Sequence, residues 1–136
     1  MSKKTYMVTS ALLYANGPVH IGHIAGAYLP ADIYVRYLKQ KGHDVAFICG
    51  SDEHGAAITL KAKKENSTPK KIIKKYHNLN KKSFSEFGIS FSIYHRTSDD
   101  LHHHTAQEFF KELNDTGVFF KKKSEQFYDN KSSQFL

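Results

Sequence analysis

The apolar positions of this chain change period several times, and each change marks an element. Tyr6 to Ser10 is a short apolar and β-branched run, the pattern of a buried parallel strand. Beyond it the spacing becomes three and four: Ile21, Ile24, Ala25, Tyr28, Asp32, Val35 and Leu38 form one inward stripe, which predicts a long helix beginning near Pro18. Pro30 lies inside that stripe. It cannot donate to residue 26, so a kink or brief break is expected there, with Gly42 closing the helix as a left-handed cap. Asp44 to Cys49 then reads as a second buried strand. Strand, helix and strand at this spacing predict a βαβ unit, with parallel strands and a right-handed crossover.

The second half of the chain is more helical. Ala56 to Glu65 predicts a helix ended by Asn66-Ser67, and Thr68-Pro69 restarts one with a cap and a first-turn proline. That helix should run to about Phe87, burying Ile72, Ile73, Tyr76, Leu79 and Phe84 or Phe87, before Gly88 stops it. Ile89 to Tyr94 alternates as a strand does. Asp99 or Asp100 should open a further helix with Leu101, Thr105, Phe109 and Leu113 inward and Gly117 as its cap. Val118 to Lys122 and Gln126 to Tyr128 read as a hairpin around Lys123-Ser124-Glu125. There is no internal repeat and no low-complexity linker.

Composition narrows the class. With 136 residues, 40% hydrophobic, and 10 Phe and 8 Tyr, the chain can bury one modest core. No apolar run approaches the ~20 residues that span a bilayer. Met1-Ser2-Lys3-Lys4 leads into a strand rather than into a signal sequence, so a soluble cytoplasmic protein is the expectation. The single Cys49 can form no internal disulfide, and one thiol does not make a zinc site; a buried strand cysteine is the simpler reading. The net charge of +7 invites a nucleic-acid reading. Nine of the 20 basic residues are lysines between Lys61 and Lys82, however, and a solvated helix face accounts for them.

The candidate chemistry lies in the loops. In open parallel sheets ligands bind beyond the carboxyl ends of the strands, and residues 10–17 and 50–55 both fall there. Asn16-Gly17 supplies a tight turn, and the helix that follows opens on His20-Ile21-Gly22-His23. A helix start after a strand favours anions, two imidazoles at i and i+3 share a face, and Gly22 lets a flat ligand approach the backbone. Polyphosphate recognition is the chemistry suggested. Neither loop carries the dinucleotide fingerprint or the P-loop pattern. Taken alone, His20 and His23 read equally well as a capping pair, Asp52 as the N-cap of the next helix, and Tyr14 as core packing. His54 reads as a loop residue near the site. His102-His103-His104 reads as surface, because consecutive helical residues point in different directions and i,i+4 is the chelating spacing.

The run from Ala11 to His23, Ala-Leu-Leu-Tyr-Ala-Asn-Gly-Pro-Val-His-Ile-Gly-His, resembles the "HIGH" signature of class I aminoacyl-tRNA synthetases, and its first half resembles that of the methionyl-tRNA synthetases. Phe47 to Gly55 resembles their second active-site strand and loop. Tyr94-His95-Arg96-Thr97 and Gln126-Phe127-Tyr128-Asp129 extend the resemblance along nearly the whole chain. It implies an α/β fold: the N-terminal half of a Rossmann-like (HUP-type) catalytic domain over residues 1–116, with a connective insertion starting at 117–136. The activity it implies is ATP-dependent activation of methionine to methionyl-adenylate, then transfer to tRNA(Met). His20 and His23 would be catalytic and, with Asn16, Gly17 and Gly22, would hold ATP and its Mg2+. Gly22 would make room for the adenine. Backbone groups of Ala11 and Leu12, the Tyr14 side chain and the Asp52 carboxylate on the α-ammonium would hold methionine.

Leu13 stands where these enzymes commonly place proline. The Lys-Met-Ser-Lys-Ser loop, the zinc-knuckle cysteines and the anticodon-binding helices of the family are not among these residues. The chain therefore reads as an N-terminal piece, inactive alone and needing a C-terminal half as partner, with no zinc site of its own. Two alternatives remain. One is a nucleotidylyltransferase of the same His-x-Gly-His superfamily; the other is a non-catalytic RNA- or protein-binding paralogue.

Overall fold

A computed structural model describes residues 2–135, which divide into one unit ending at His103 and another beginning at His104. In the first unit β3 (Asp44–Asp52) is the central strand, and every pairing to it is parallel. Along one edge run β1 (Thr5–Thr9), from Thr5↔Asp44 to Thr9↔Ile48, and β2 (Leu13–Tyr14), with Leu13↔Ser51 and Tyr14↔Asp52. β4 (Ile93–Arg96) takes the other edge, from Ile48↔Ile93 to Ser51↔Arg96. From Thr9 to Leu13 the first segment advances four positions while β3 advances three, from Ile48 to Ser51. The extra residue is a bulge, and it reverses which side chains face inward. Leu13 thereby enters the main core, and Tyr14 packs on a second cluster.

The expected βαβ unit is present, with differences at its margins. β1 is half buried rather than buried: Tyr6 and Val8 face in, while Met7 is 72% exposed. The helix does not start at Pro18. Its first residue is Ile21, and α1 (Ile21–His23) is capped by His20, because the two histidine rings supply the acceptors that the first turn needs. The break expected at Pro30 lies just before it, as a π-helical turn over Ile24–Tyr28 in which the Leu29 N–H reaches the Ile24 carbonyl. Pro30 then sits in the first turn of α2 (Leu29–Gln40), where a missing N–H costs nothing. The turn rotates the stripe, so Ile24, Tyr28, Asp32, Val35 and Leu38 are buried but Ile21 and Ala25 are not. Gly42 closes the element at φ +81. The buried Asp32 accepts from Arg36 Nε at 2.5 Å and from the Ser90 amide at 3.1 Å, which ties α2 to the segment before β4.

α3 (Ala56–Lys64) and α4 (Pro69–Glu86) follow β3. The Thr68 hydroxyl caps α4, and Gly88 ends it at φ +72. α4, the π-helical turn and α2 put Phe84, Tyr28 and Val35 into one core with Phe47 and Cys49 of β3. Ile58, Ala62, Ile72, Ile73 and Tyr76 form the second cluster, with Ala15. The inward face of α4 carries Ile72, Ile73, Tyr76 and, of the two phenylalanines, Phe84 as expected, but His77 and Asn80 are buried there as well, whereas Leu79 is 41% exposed. Most of the lysines face solvent as expected, and Glu65 gathers Lys61, Lys75 and the Tyr76 hydroxyl.

Three expectations in the last third are corrected. Residues 89–92 are not strand; Ile89 and Phe91 alternate because both pack on the core, and pairing begins only at Ile93. α5 (Asp100–Asp115) buries none of its residues, so Leu101, Thr105, Phe109 and Leu113 form no buried face. The hairpin lies later than predicted, as β5 (Tyr128–Asp129) against β6 (Gln134–Phe135), because Phe119 stacks on Phe110 at 5.1 Å instead of pairing in a strand. Gly117 does end the helix, at φ +73. No helix among the described residues is long and apolar enough to cross a membrane.

Candidate active site

Both candidate loops emerge at the carboxyl edge of the sheet, and the backbone joins them. Tyr14 pairs with Asp52, and the Ala15 amide donates to the Asp52 carbonyl at 2.8 Å. The side chains meet as well. A Cβ on Gly55 would lie 2.3 Å from the Tyr14 hydroxyl oxygen, and Gly55 holds φ +125, a conformation essentially closed to other residues. Gly55 therefore seats the tyrosine. It also occupies the N-cap position of α3 without any side-chain bond, so Asp52 is not that helix's cap. Among the described residues the Asp52 carboxylate receives only a long contact, 3.4 Å, from the His54 amide.

A cleft of about 330 Å³ opens above the first loop, lined by Ala11, Leu12, Tyr14, Asn16, Gly17 and His23. Leu12 also borders a second cleft, of about 200 Å³, at the ends of β3 and β4. The Ala11 carbonyl accepts the Tyr28 hydroxyl at 3.0 Å and faces the Cys49 thiol at 3.6 Å. Burial pushes that thiol up to about 11 and the Tyr28 phenol up to about 12, so both stay protonated near neutrality. Cys49 is thus the inert strand cysteine its sequence context predicts.

His20 and His23 cap one another. The Gly22 amide donates to His20 Nδ1 at 3.2 Å, the His20 amide donates to His23 Nδ1 at 3.4 Å, and the rings stack at 3.7 Å. A nitrogen that accepts carries no proton, so the geometry assigns the proton of each ring to Nε2. Two donors are thereby fixed side by side. Gly22 contributes its size, since a Cβ there would press on the His20 ring at 3.2 Å. The capping and ligand readings of these histidines are consequently compatible: Nδ1 caps and Nε2 is left to donate.

Behind Asp52 lies a network that sequence reasoning missed. Glu53, 3% exposed, accepts from Arg96 Nε at 2.9 and 3.0 Å, from Ser51 Oγ at 2.7 Å and from Ser98 Oγ. His77 Nδ1 lies 2.7 Å from Ser51 Oγ and continues the chain into α4. Burial, then the Arg96 charge, holds the His77 imidazole below its ordinary pKa. Asn80, one turn further along α4, reaches the other loop, accepting from the Val19 amide at 2.7 Å and donating to the Gly17 carbonyl at 3.2 Å. The available signal was two polar residues at inward positions of an amphipathic helix.

Of the remaining histidines, His95 and His102 line the second cleft. His54 Nε2 contacts the Thr97 carbonyl at 3.2 Å and His103 Nε2 at 3.4 Å, and His104 pairs with Glu108 on the exposed surface. Among the described residues no three His, Cys, Asp or Glu side chains converge to hold a metal ion.

Comparison with known proteins gives the site a context. The family described as tRNA synthetases class I (M) matches residues 6–136. Methionine–tRNA ligases of Bacteroides fragilis and Flavobacterium johnsoniae are 62% and 60% identical over 133 residues, 98% of this chain. The fold superposes on a Mycobacterium tuberculosis methionyl-tRNA synthetase in complex with methionyl-adenylate with a TM-score of 0.87 at 26% identity, covering 98% of this chain and 26% of that one. The chain spans about a fifth of the length of those curated relatives, 20% and 19% respectively. A family match over residues 6–136, with relatives about 60% identical over nearly the whole chain, leads to one conclusion: the chain belongs to the class I (M) tRNA synthetases.

Proposed function

We propose that this chain supplies the methionine-binding and phosphate-binding half of a methionine–tRNA ligase site, with residues 1–116 as the first half of the catalytic domain and 117–136 as the start of a connective insertion. The observation that carries the reading is the parallel junction of Tyr14 with Asp52 at the sheet edge that also presents His20 and His23. Asp52, spared from capping and paired through its backbone with Tyr14, takes the α-ammonium of methionine, and Tyr14, seated by Gly55, lines the cleft beside Ala11 and Leu12. ATP enters as its Mg2+ complex against Asn16, Gly17, Gly22 and the two Nε2–H donors. One methionine carboxylate oxygen attacks the α-phosphorus, the bond to the β-phosphate oxygen breaks, and pyrophosphate leaves. The ribose hydroxyl at the 3′ end of tRNA(Met) then attacks the acyl carbon and releases AMP.

Donors fixed before reaction stabilise the charge that grows on the phosphates without any further reorganisation. Loss of one such donor in an oxyanion hole costs about 2.7–4 kcal/mol, and His20→Ala or His23→Ala should lower kcat by a comparable factor. Asp52→Ala should instead raise the KM for methionine. Methionine-dependent ATP–pyrophosphate exchange by the protein at its full natural length measures both. Exchange that ignores methionine, or that survives both histidine substitutions unchanged, would overturn the reading.

A further inference from the structure

We propose that Asn80, which lies in neither candidate loop, is the positioning residue for the His20–His23 pair; the inference rests on the functional reading above. Its side chain is 0% exposed and bridges the two backbone groups on either side of Pro18. Pro18 has no N–H, and residues 17–20 belong to no helix or strand, so secondary structure offers the Val19 amide and the Gly17 carbonyl no partner. A side chain with one donor and one acceptor on the same short stem satisfies both. Asn has that form, with donor and acceptor on separate atoms; a carboxylate only accepts and Leu does neither.

The consequence passes one residue along the chain. With Val19 held at 2.7 Å, His20 adopts φ −129 and ψ 170, the extended conformation from which its amide reaches His23 Nδ1 and its own Nδ1 receives the Gly22 amide. The Ile24 amide closes the turn on the His20 carbonyl at 3.1 Å. If Val19 rotates, the mutual cap opens and nothing holds the two Nε2 protons in place. The support for Asn80 is itself rigid, since α4 is capped by Thr68 and buries Ile72, Ile73, Tyr76 and Phe84 around it. The geometry points to Asn80 as a contributor to rate through orientation and not through contact with substrate.

The test uses the protein at its full natural length, with Asn80→Ala, with Asn80→Asp, which keeps an acceptor for Val19 and loses the donor to Gly17, and with the exposed Asn78→Ala as control. In methionine-dependent ATP–pyrophosphate exchange, Asn80→Ala should lower kcat by on the order of 10²-fold, the scale of an ångström-sized misplacement, with little change in the KM for methionine. Asn80→Asp, which sets a buried carboxylate oxygen against the Gly17 carbonyl, should lower kcat at least as far, and Asn78→Ala should match the wild type. Imidazole nitrogen NMR supplies a readout that needs no turnover: His20 and His23 should show the Nε2–H tautomer in the wild type and mixed tautomers in whichever Asn80 variant folds. Unchanged tautomers, or an unchanged kcat in a folded variant, would overturn the inference. Should the wild type exchange nothing with methionine, the ligase reading falls, and the imidazole spectra still decide the role of Asn80.

Discussion

At the scale of single residues the site depends on groups that serve two neighbours at once. Each histidine divides its two nitrogens between backbone and ligand, and Gly55 both turns the chain and leaves room for a phenol. A methyl group at residue 55 would have to occupy a backbone region that is essentially glycine-only, at ~1–3 kcal/mol, and would push the Tyr14 ring aside. Gly55→Ala should therefore destabilise the loop and raise the KM for methionine. Removing the hydroxyl with Tyr14→Phe should relieve part of the second effect and none of the first. A double-mutant cycle on KM and on hydrogen exchange at residues 52–56 separates the two contributions; strictly additive KM changes would show that the contact carries no weight.

At the scale of elements, α4 is the member both loops share. Two buried polar side chains a turn apart send Asn80 to the segment before His20 and His77 to the Ser51–Glu53 network behind Asp52. Periodicity placed the helix and both its ends correctly, because Thr68-Pro69 and Gly88 are chemical signals in their own right. It placed Ile72, Ile73, Tyr76 and Phe84 inward but left out His77 and Asn80, because periodicity treats polar residues as outward and carries no sign of a distant partner. β4 was displaced for a related reason: Ile89 and Phe91 alternate as a strand does, yet they fill the core from an irregular segment whose amide at Ser90 is held by Asp32. The candidate loops were legible because their sequence signatures and their place at the strand ends agree. The residues holding them in place were not, since their bonds reach across long stretches of sequence, as Asn80 does to Val19 and Gly17.

His77 also gives the element a pH dependence. Its folded pKa lies below the ordinary 6.5, by burial first and then by Arg96, with Lys81 and His95 acting in the same direction and Glu53 against it. Below 6.5 the unfolded chain therefore binds the proton more readily than the folded one. Stability present above that value should be lost as pH falls toward the folded pKa, by at most about 1.4 kcal/mol per pH unit from this one group. Hydrogen exchange of α4 and β3 amides between pH 7.5 and 5 should show the slope, and His77→Asn should flatten it; an identical slope in that variant would assign the effect elsewhere.

At the scale of the whole first unit, the sheet is covered on one side. The helices pack on the face that carries Val8, Phe47, Cys49 and Tyr94, while the opposite face shows Met7 and Ile93, 72% and 51% exposed. An apolar face and a free β1 edge invite association. The 136-residue chain on its own should accordingly sediment as more than a monomer and show no methionine-dependent exchange, and a monodisperse, active monomer would contradict this.

The bulge between Thr9 and Leu13 bears on heritable change. Because strand side chains alternate, the number of residues in that connection, and not only their identity, decides that Leu13 faces the core and Tyr14 the cleft. Loss of a single codon anywhere from Ser10 to Leu12 would exchange the two, burying a phenol and exposing a leucine at the junction with Asp52. Missense changes at the same codons leave the alternation intact. Selection on this stretch should thus be most severe against in-frame insertions and deletions, and a codon-by-codon deletion scan in a strain dependent on this gene would show Ser10, Ala11 and Leu12 to be individually replaceable and collectively fixed in number.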